Sequence, residues 1–222
     1  MENKKRVRFY IDGFNFYYGI KRSVKANPRW GNAYWINVVS LCNSFIGPNE
    51  VLDKVIYFTA SPLDPDQSSR QSAFLNANKA LNNNLFEVVR GKYLAKQITC
   101  PYCGATISRP EEKKTDVNIS VKMIDDCMKN QTEKVVLISA DTDLIPPLEL
   151  IKSSFPEIKL KVMFPPSNFS HEISSTMSAW KSKVTFLEKN IDRFEQAMMP
   201  DSVGDGKYTI PPEWKIKQLL PN

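Results

Sequence analysis

The run Val135-Val136-Leu137-Ile138-Ser139-Ala140-Asp141-Thr142-Asp143 is a buried-strand pattern that leads directly into two carboxylates. A second apolar run, Val7 to Ile11, ends the same way in Asp12-Gly13-Phe14-Asn15. Open α/β sheets place their active sites at the carboxyl ends of their strands, so two separate segments each deliver an acid to what reads as one sheet edge. Another acid, Asp116, stands just ahead of a helical-period stretch beginning at Val117. Converging carboxylate oxygens are the ligands that Mg²⁺ or Mn²⁺ prefers, and such ions keep waters for chemistry. Asp12, Asp116, Asp141 and Asp143 are therefore candidate ligands of a divalent metal. Each also has a plainer reading. Asp-Gly is a common turn pair, Asp141 suits the N-cap of a helix starting at Thr142, and Asp116 suits the dipole of a first helical turn. Their joint appearance at strand ends and helix starts weakens those readings.

The elements that must position these acids follow from periodicity. Short β-rich apolar runs alternate with helical segments, which predicts an α/β fold with a mostly parallel central sheet flanked by helices. Strands are predicted at Val7 to Ile11, Val55 to Thr59, Phe86 to Val89, Val135 to Ser139 and Leu160 to Phe164, with a weaker pattern at Val184 to Leu187. Phe16, Ile20 and Val24 mark one face of a first helix. Val117, Val121, Ile124 and Met128 mark an apolar face of another, whose other side carries Asn118, Lys122, Asp125 and Lys129 and so lies on a surface. Gly91 to Pro110 breaks the rhythm and reads as an inserted arm. After Met199 the chain turns rich in proline and glycine and reads as an irregular tail. The expected organisation is one main domain over 1–190, with the arm at 91–110, and a C-terminal extension over 191–222.

Composition narrows the classes. Of 222 residues, 42% are hydrophobic, and no apolar run approaches the roughly 18 residues that suggest a membrane span. The charged N-terminus has no long apolar stretch behind it, so no secretory signal is read and a cytoplasmic protein is expected. A net charge of +6 is compatible with an anionic partner such as nucleic acid. Arg90, Lys92, Lys96, Arg109, Lys113 and Lys114 outweigh Glu111 and Glu112 beside the acids, which makes Arg90, Lys92, Arg109, Lys113 and Lys114 candidate phosphate contacts; the alternative is a solvated arm. Tyr93 or Tyr102 could stack on an unpaired base, whereas Phe14, Phe16, Tyr17 and Tyr18 read as core and helix packing.

Four cysteines without a signal peptide argue for reduced thiols or a metal site. Cys100-x-x-Cys103-Gly has the spacing of half a zinc knuckle, and no second pair follows. Zn²⁺ would need two subunits each contributing the arm, a homodimer with four thiolates across its axis; a metal-free turn is the other reading. Cys42 and Cys127 read as buried small apolar residues. The one histidine, His171, reads as a helix-start residue, and a two-histidine ribonuclease mechanism is excluded.

Three stretches carry a resemblance: Tyr10-Ile11-Asp12-Gly13-Phe14-Asn15, then Glu111-Glu112-Lys113-Lys114-Thr115-Asp116-Val117-Asn118-Ile119, then Leu137 to Asp143 continuing through Leu144-Ile145-Pro146. In order and spacing the chain resembles NYN-domain proteins of the PIN-like nuclease superfamily, in the LabA-like branch, from about Arg6 to Leu187. Pro211-Pro212-Glu213-Trp214 is similar to tails of this branch. Ala140 departs from the usual glycine. The resemblance implies a Rossmann-like PIN fold and a metal-dependent ribonuclease hydrolysing RNA, with single-stranded RNA as the expected partner. Asp12, Asp116, Asp141 and Asp143 would surround Mg²⁺ or Mn²⁺, supported by Asn15 and by Ser139. The alternative is a catalytically silent RNA-binding or regulatory protein of the same fold. A phosphatase with an aspartyl nucleophile at Asp141-Thr142-Asp143 fits less well, because that class needs the motif near the start of its domain and an acidic pair downstream.

Overall fold

The computed structural model describes residues 4–99 and 101–215. Strand β1 (Lys5–Asp12) runs into α1 (Gly13–Ala26), a 3₁₀ turn over Pro28–Tyr34, α2 (Val38–Asn43), β2 (Glu50–Thr59), α3 (Pro65–Asn82) and β3 (Phe86–Arg90). A hairpin of β4 (Lys92–Thr99) and β5 (Thr106–Lys113) precedes α4 (Thr115–Met128). Then come β6 (Lys134–Ile138), α5 (Ile145–Ser154), β7 (Lys159–Phe164), α6 (His171–Ala179), β8 (Lys183–Phe186), α7 (Ile191–Gln196) and the short strands β9 (Ser202–Val203) and β10 (Tyr208–Thr209).

Six strands form one sheet in the order β3-β2-β1-β6-β7-β8, with every neighbouring pair parallel. The chain builds outward from β1 through β2 to β3, then returns to β6 beside β1 and builds the other way. The topological switch therefore lies between β1 and β6, and open sheets of this kind form their ligand crevice at the carboxyl ends of the two strands that flank it. Those two strands are the ones that end in Asp12 and lead into Asp141.

Alternation along the strands explains the two cores. Val7, Phe9 and Ile11 of β1 pack with Phe16 and Ile20 of α1, Leu41 of α2 and Leu75 of α3. Tyr10, one step out of phase, joins Ile119 and Met123 of α4, Leu148 of α5 and Ile173 of α6. Helices cover both faces, which is why the strands read as nearly unbroken apolar runs.

Close packing fixes the start of α1. A Cβ at Gly13 would sit 2.4 Å from Tyr57 Cε1 and 2.6 Å from the backbone oxygen of Phe58. The oxygen cannot give way without moving β2, so Gly13→Ala is expected to cost about 1–3 kcal/mol as overpacking does. A urea titration checks this through a lowered midpoint at unchanged m value.

The structure corrects two readings of the sequence. In α4 the buried residues are Thr115, Ile119, Met123, Asp126 and Cys127, while Val117, Val121 and Met128 are exposed. Of the stripe expected to face the core, only Ile124 packs against it; the inward face is the neighbouring one, where Ile119, Met123 and Cys127 are buried together with Asp126 and its ion partners. The inserted arm is a regular antiparallel ladder that pairs Lys92 with Lys113 and Thr99 with Thr106, and so extends to Lys113. As expected, Cys42 and Cys127 are buried thiols.

The tail is irregular yet packed. Met199 and Val203 lie in the core beside α1 and α2, Trp35 Nε1 donates to Pro200 O at 2.8 Å, and Trp214 stacks on Tyr34 with ring centres 5.5 Å apart. Among the described residues, no helix is long and apolar enough to cross a membrane.

Candidate metal centre

Asp12 ends β1 and caps α1, and it is 2% exposed. Its Oδ1 accepts from the backbone N–H of Phe14 at 3.1 Å and of Asn15 at 3.0 Å. Its Oδ2 accepts from Asn15 Nδ2 at 2.6 Å and from the Ser139 hydroxyl at 2.8 Å. Burial raises the Asp12 pKa above the ordinary carboxylate value, and the donors from Asn15 and Ser139 oppose that rise. The carboxylate is thus fixed in place before any ligand arrives.

Ser139, fully buried just past β6, ties the two strand ends together. It donates to Asp12 and accepts from the backbone N–H of Asp141 at 3.1 Å. Asp141 caps the 3₁₀ turn Thr142–Leu144, accepting from Asp143 N at 3.0 Å. Asp116 arrives from the other side of the switch point as the second residue of α4. Its pKa is pushed up to about 6, first by burial and then by the charges of Asp141, Asp12 and Asp143.

One carboxylate oxygen from each of Asp12, Asp116 and Asp141 lies within 4.8 Å of the others. Of the four acids singled out in the sequence, the structure brings these together. Asp143 is exposed and stands outside that group, although its charge reaches Asp116. The cleft is lined by Asp12, Phe14, Asn15, Thr115, Asp116 and Asp141. An all-oxygen set of clustered carboxylates suits a hard divalent cation.

Asn15 is held in turn. Its Oδ1 accepts from Asn168 Nδ2 at 2.5 Å and, more distantly, from Ala140 N at 3.4 Å. Asn168 escaped the sequence reading. It lies 153 residues away from Asn15 in the chain, and its one signal is its place in Pro165-Pro166-Ser167-Asn168 after β7, at the same carboxyl edge of the sheet.

The basic candidates lie at the end of β3, on the hairpin and just before α4. Arg90 ends β3, is exposed and donates to Ser61 Oγ at 2.5 Å. Lys92 and Lys113 face each other at the base of the hairpin, and Arg109 pairs through its backbone with Lys96 further out. Lys113 and Lys114, both exposed, directly precede the helix that carries Asp116. Tyr102 is 97% exposed near the hairpin tip, next to the free, exposed Cys103. Cys100, the other half of the predicted zinc pair, lies outside the described residues, as do the side chains of Tyr93 and Arg109. His171 is exposed at the start of α6, as its sequence context predicted.

The acid cluster makes stability depend on pH. Asp116 has its carboxyl near 6 in the folded chain against an ordinary 3.8, so the folded state holds that proton more tightly than the unfolded state. The associated stability is fully present below 3.8 and is lost as pH rises through about 6. A cation that binds only the folded cluster competes with the proton and restores stability. Adding Mn²⁺ is expected to raise the thermal midpoint at about pH 7.5 and to raise it less at about pH 5. Equal shifts at both pH values would argue against the cluster as the cation site.

Comparison with known proteins adds the following. The model of the NYN domain matches residues 6–176. The chain is 24% identical over 245 residues to the 6-hydroxy-3-succinoylpyridine 3-monooxygenase HspA of Pseudomonas putida, an alignment covering 94% of this chain and 74% of that protein. The crystal structure of a protein of unknown function from Vibrio parahaemolyticus is similar with a TM-score of 0.53 at 16% identity, over 84% of this chain and 95% of that one. That likeness shows the shared fold.

Proposed function

The chain belongs to the NYN domain family, and from that membership we propose that it is a metal-dependent ribonuclease working at Asp12, Asp116 and Asp141, with Asp143 at the rim. NYN domains are generally nucleases, and PIN-like nucleases typically use divalent metals. The observation that carries the reading is the meeting of the three carboxylates, from three separate elements, at the topological switch point.

Mg²⁺ or Mn²⁺ bound there would supply a Lewis acid for the phosphodiester and would lower the pKa of a bound water, making hydroxide available as the nucleophile. The chain's own residues prepare for this. Asn15 and Ser139 hold Asp12 in one orientation, and Asn168 holds Asn15. Ser139 is not a nucleophile, since it is fully buried and its hydroxyl already serves Asp12 and Asp141. The proposed nucleophile is accordingly water, which needs no covalent intermediate. Arg90, Lys92, Arg109, Lys113 and Lys114 would hold the RNA backbone, an affinity independent of sequence that weakens as salt rises.

The test is cleavage of end-labelled single-stranded RNA with Mn²⁺ or Mg²⁺ against an EDTA control. Cutting with metal alone supports the proposal. RNA retained but uncut with both metals would instead make this a binding protein.

Similarity across 94% of the chain to a protein named for oxygenating a hydroxypyridine supports a second reading, in which the substrate is a small heteroaromatic ring. Dioxygen uptake with that pyridine and a reductant, together with RNA left uncut, would favour it.

A further inference from the structure

Beside the acid cleft lies a second cavity of about 720 Å³, counting the part open to solvent. Its walls are aromatic: Phe14 and Tyr17 of α1, Tyr34 from the 3₁₀ turn, Tyr57 of β2, Phe74 of α3 and Trp214 of the tail. Phe14 lines both this cavity and the acid cleft, so the two lie side by side at the first turn of α1. The aromatics of α1 were expected to serve as packing. Phe16 does so, but Phe14 and Tyr17 are only partly buried, and Tyr18 is exposed.

Polar groups at the wall have a definite polarity. Gln71 Nε2 donates to Thr59 Oγ1 at 2.9 Å and to Ala60 O at 3.1 Å. Because a backbone oxygen only accepts, the amide cannot be turned over without losing that bond. Gln71 Oε1 is left buried without a partner, the one such side-chain atom among the described residues. A buried carbonyl with no donor is costly, and Gln71 is one of the residues that line the cavity. Arg70 also borders the space and holds the tail by an ion pair to Glu213 at 3.4 Å.

We propose that this cavity is a base-binding subsite, which seats one unstacked nucleobase of the RNA strand whose phosphodiester lies at the acid cluster. The proposal rests on the ribonuclease reading. Flat aromatic walls fit the π-face of a base, and Gln71 Oε1 fits an amino or imino N–H on its edge. The shared Phe14 wall makes occupant and scissile phosphate parts of one strand. Trp214 lies beyond the 6–176 segment matched by the family model, so the tail gives the site a wall that this segment lacks.

A set of fluorescent single-stranded RNAs about ten nucleotides long, each with one abasic position, tests this. Binding is read by anisotropy in EDTA, and cleavage is read separately with Mn²⁺. The subsite predicts that with the abasic position at one fixed offset from the cut, affinity falls roughly ten- to a hundredfold, as loss of a stacked base does. Trp214→Ala should flatten that dependence and Trp214→Phe should retain it. Cleavage and binding insensitive to which base is missing would overturn the subsite while leaving the ribonuclease reading in place. RNA neither bound nor cut would overturn both.

Discussion

Asp141→Asn is expected to lower metal-dependent RNA cleavage about a thousandfold, because a cation's charge stabilisation is worth several kcal/mol and each 1.36 kcal/mol is roughly tenfold in rate. The substitution is chosen for what it leaves alone. Asp141 caps its turn through one side-chain oxygen, which accepts from Asp143 N, and the oxygen of Asn can accept in the same way. Its backbone N–H still donates to Ser139. Removing one negative charge also relieves Asp116, whose carboxyl Asp141 helps to push up to about 6. The variant should therefore be as stable as the parent without metal, gain less from Mn²⁺ in a thermal melt, and still bind RNA. Asp12→Asn makes a poorer probe. Asp12 accepts four donors, and an amide nitrogen placed among them would face Asn15 Nδ2 or a backbone N–H. It should lose activity and stability together. Asp143→Asn, outside the close group, should cost no more than about tenfold. Equal losses at Asp141 and Asp143 would show that the close group of three is not the working set.

The strands of the central sheet were legible in the sequence because burial turns them into apolar runs whatever their neighbours are, whereas the hairpin strands β4 and β5, outside that sheet, were not. The acids were legible for a related reason, since a carboxylate directly after such a run stands at a sheet edge. What periodicity could not show was which face of α4 turns inward. Val117, Val121 and Met128 keep helical spacing as faithfully as Ile119, Met123 and Cys127 do, and the choice depends on a partner for Asp126 that lies on β1. Asn168 was hidden for the same reason, since its role exists only once β7 lies beside β6 and its loop reaches Asn15. The cavity beside the acids needed four segments and the tail to assemble, and in a linear reading its aromatics are ordinary core residues. Residues that act through neighbours in the chain were readable, and those that act through neighbours across the sheet were not.

Asp126→Ala, at a site no motif marks, is expected to cost about 3–5 kcal/mol of stability, the usual consequence of breaking a buried ion network from one side. Asp126 is fully buried in α4. It accepts from Tyr10 Oη at 2.7 Å and Lys122 Nζ at 2.8 Å, and pairs with Arg8 Nη1 at 2.8 Å. Arg8, itself only 10% exposed in its side chain, has a second carboxylate in Asp53 at 2.5 Å and the Gln131 amide oxygen at 2.6 Å. Taking away Asp126 leaves a mostly buried guanidinium with one counter-charge and a buried phenol without its acceptor. Tyr10→Phe, which removes a single hydroxyl and leaves the ions paired, should cost only about 1–2 kcal/mol. Urea denaturation of the two variants checks the ranking, and equal losses would mean that packing rather than charge holds the helix. Against a total of about 5–15 kcal/mol for a typical protein, the larger loss approaches the limit for folding. It also bears on function, because the helix that Asp126 anchors to β1 presents Asp116 at its other end. A variant that still folds should therefore bind Mn²⁺ more weakly than the parent, although its altered residue lies on a different turn from every acid of the cluster.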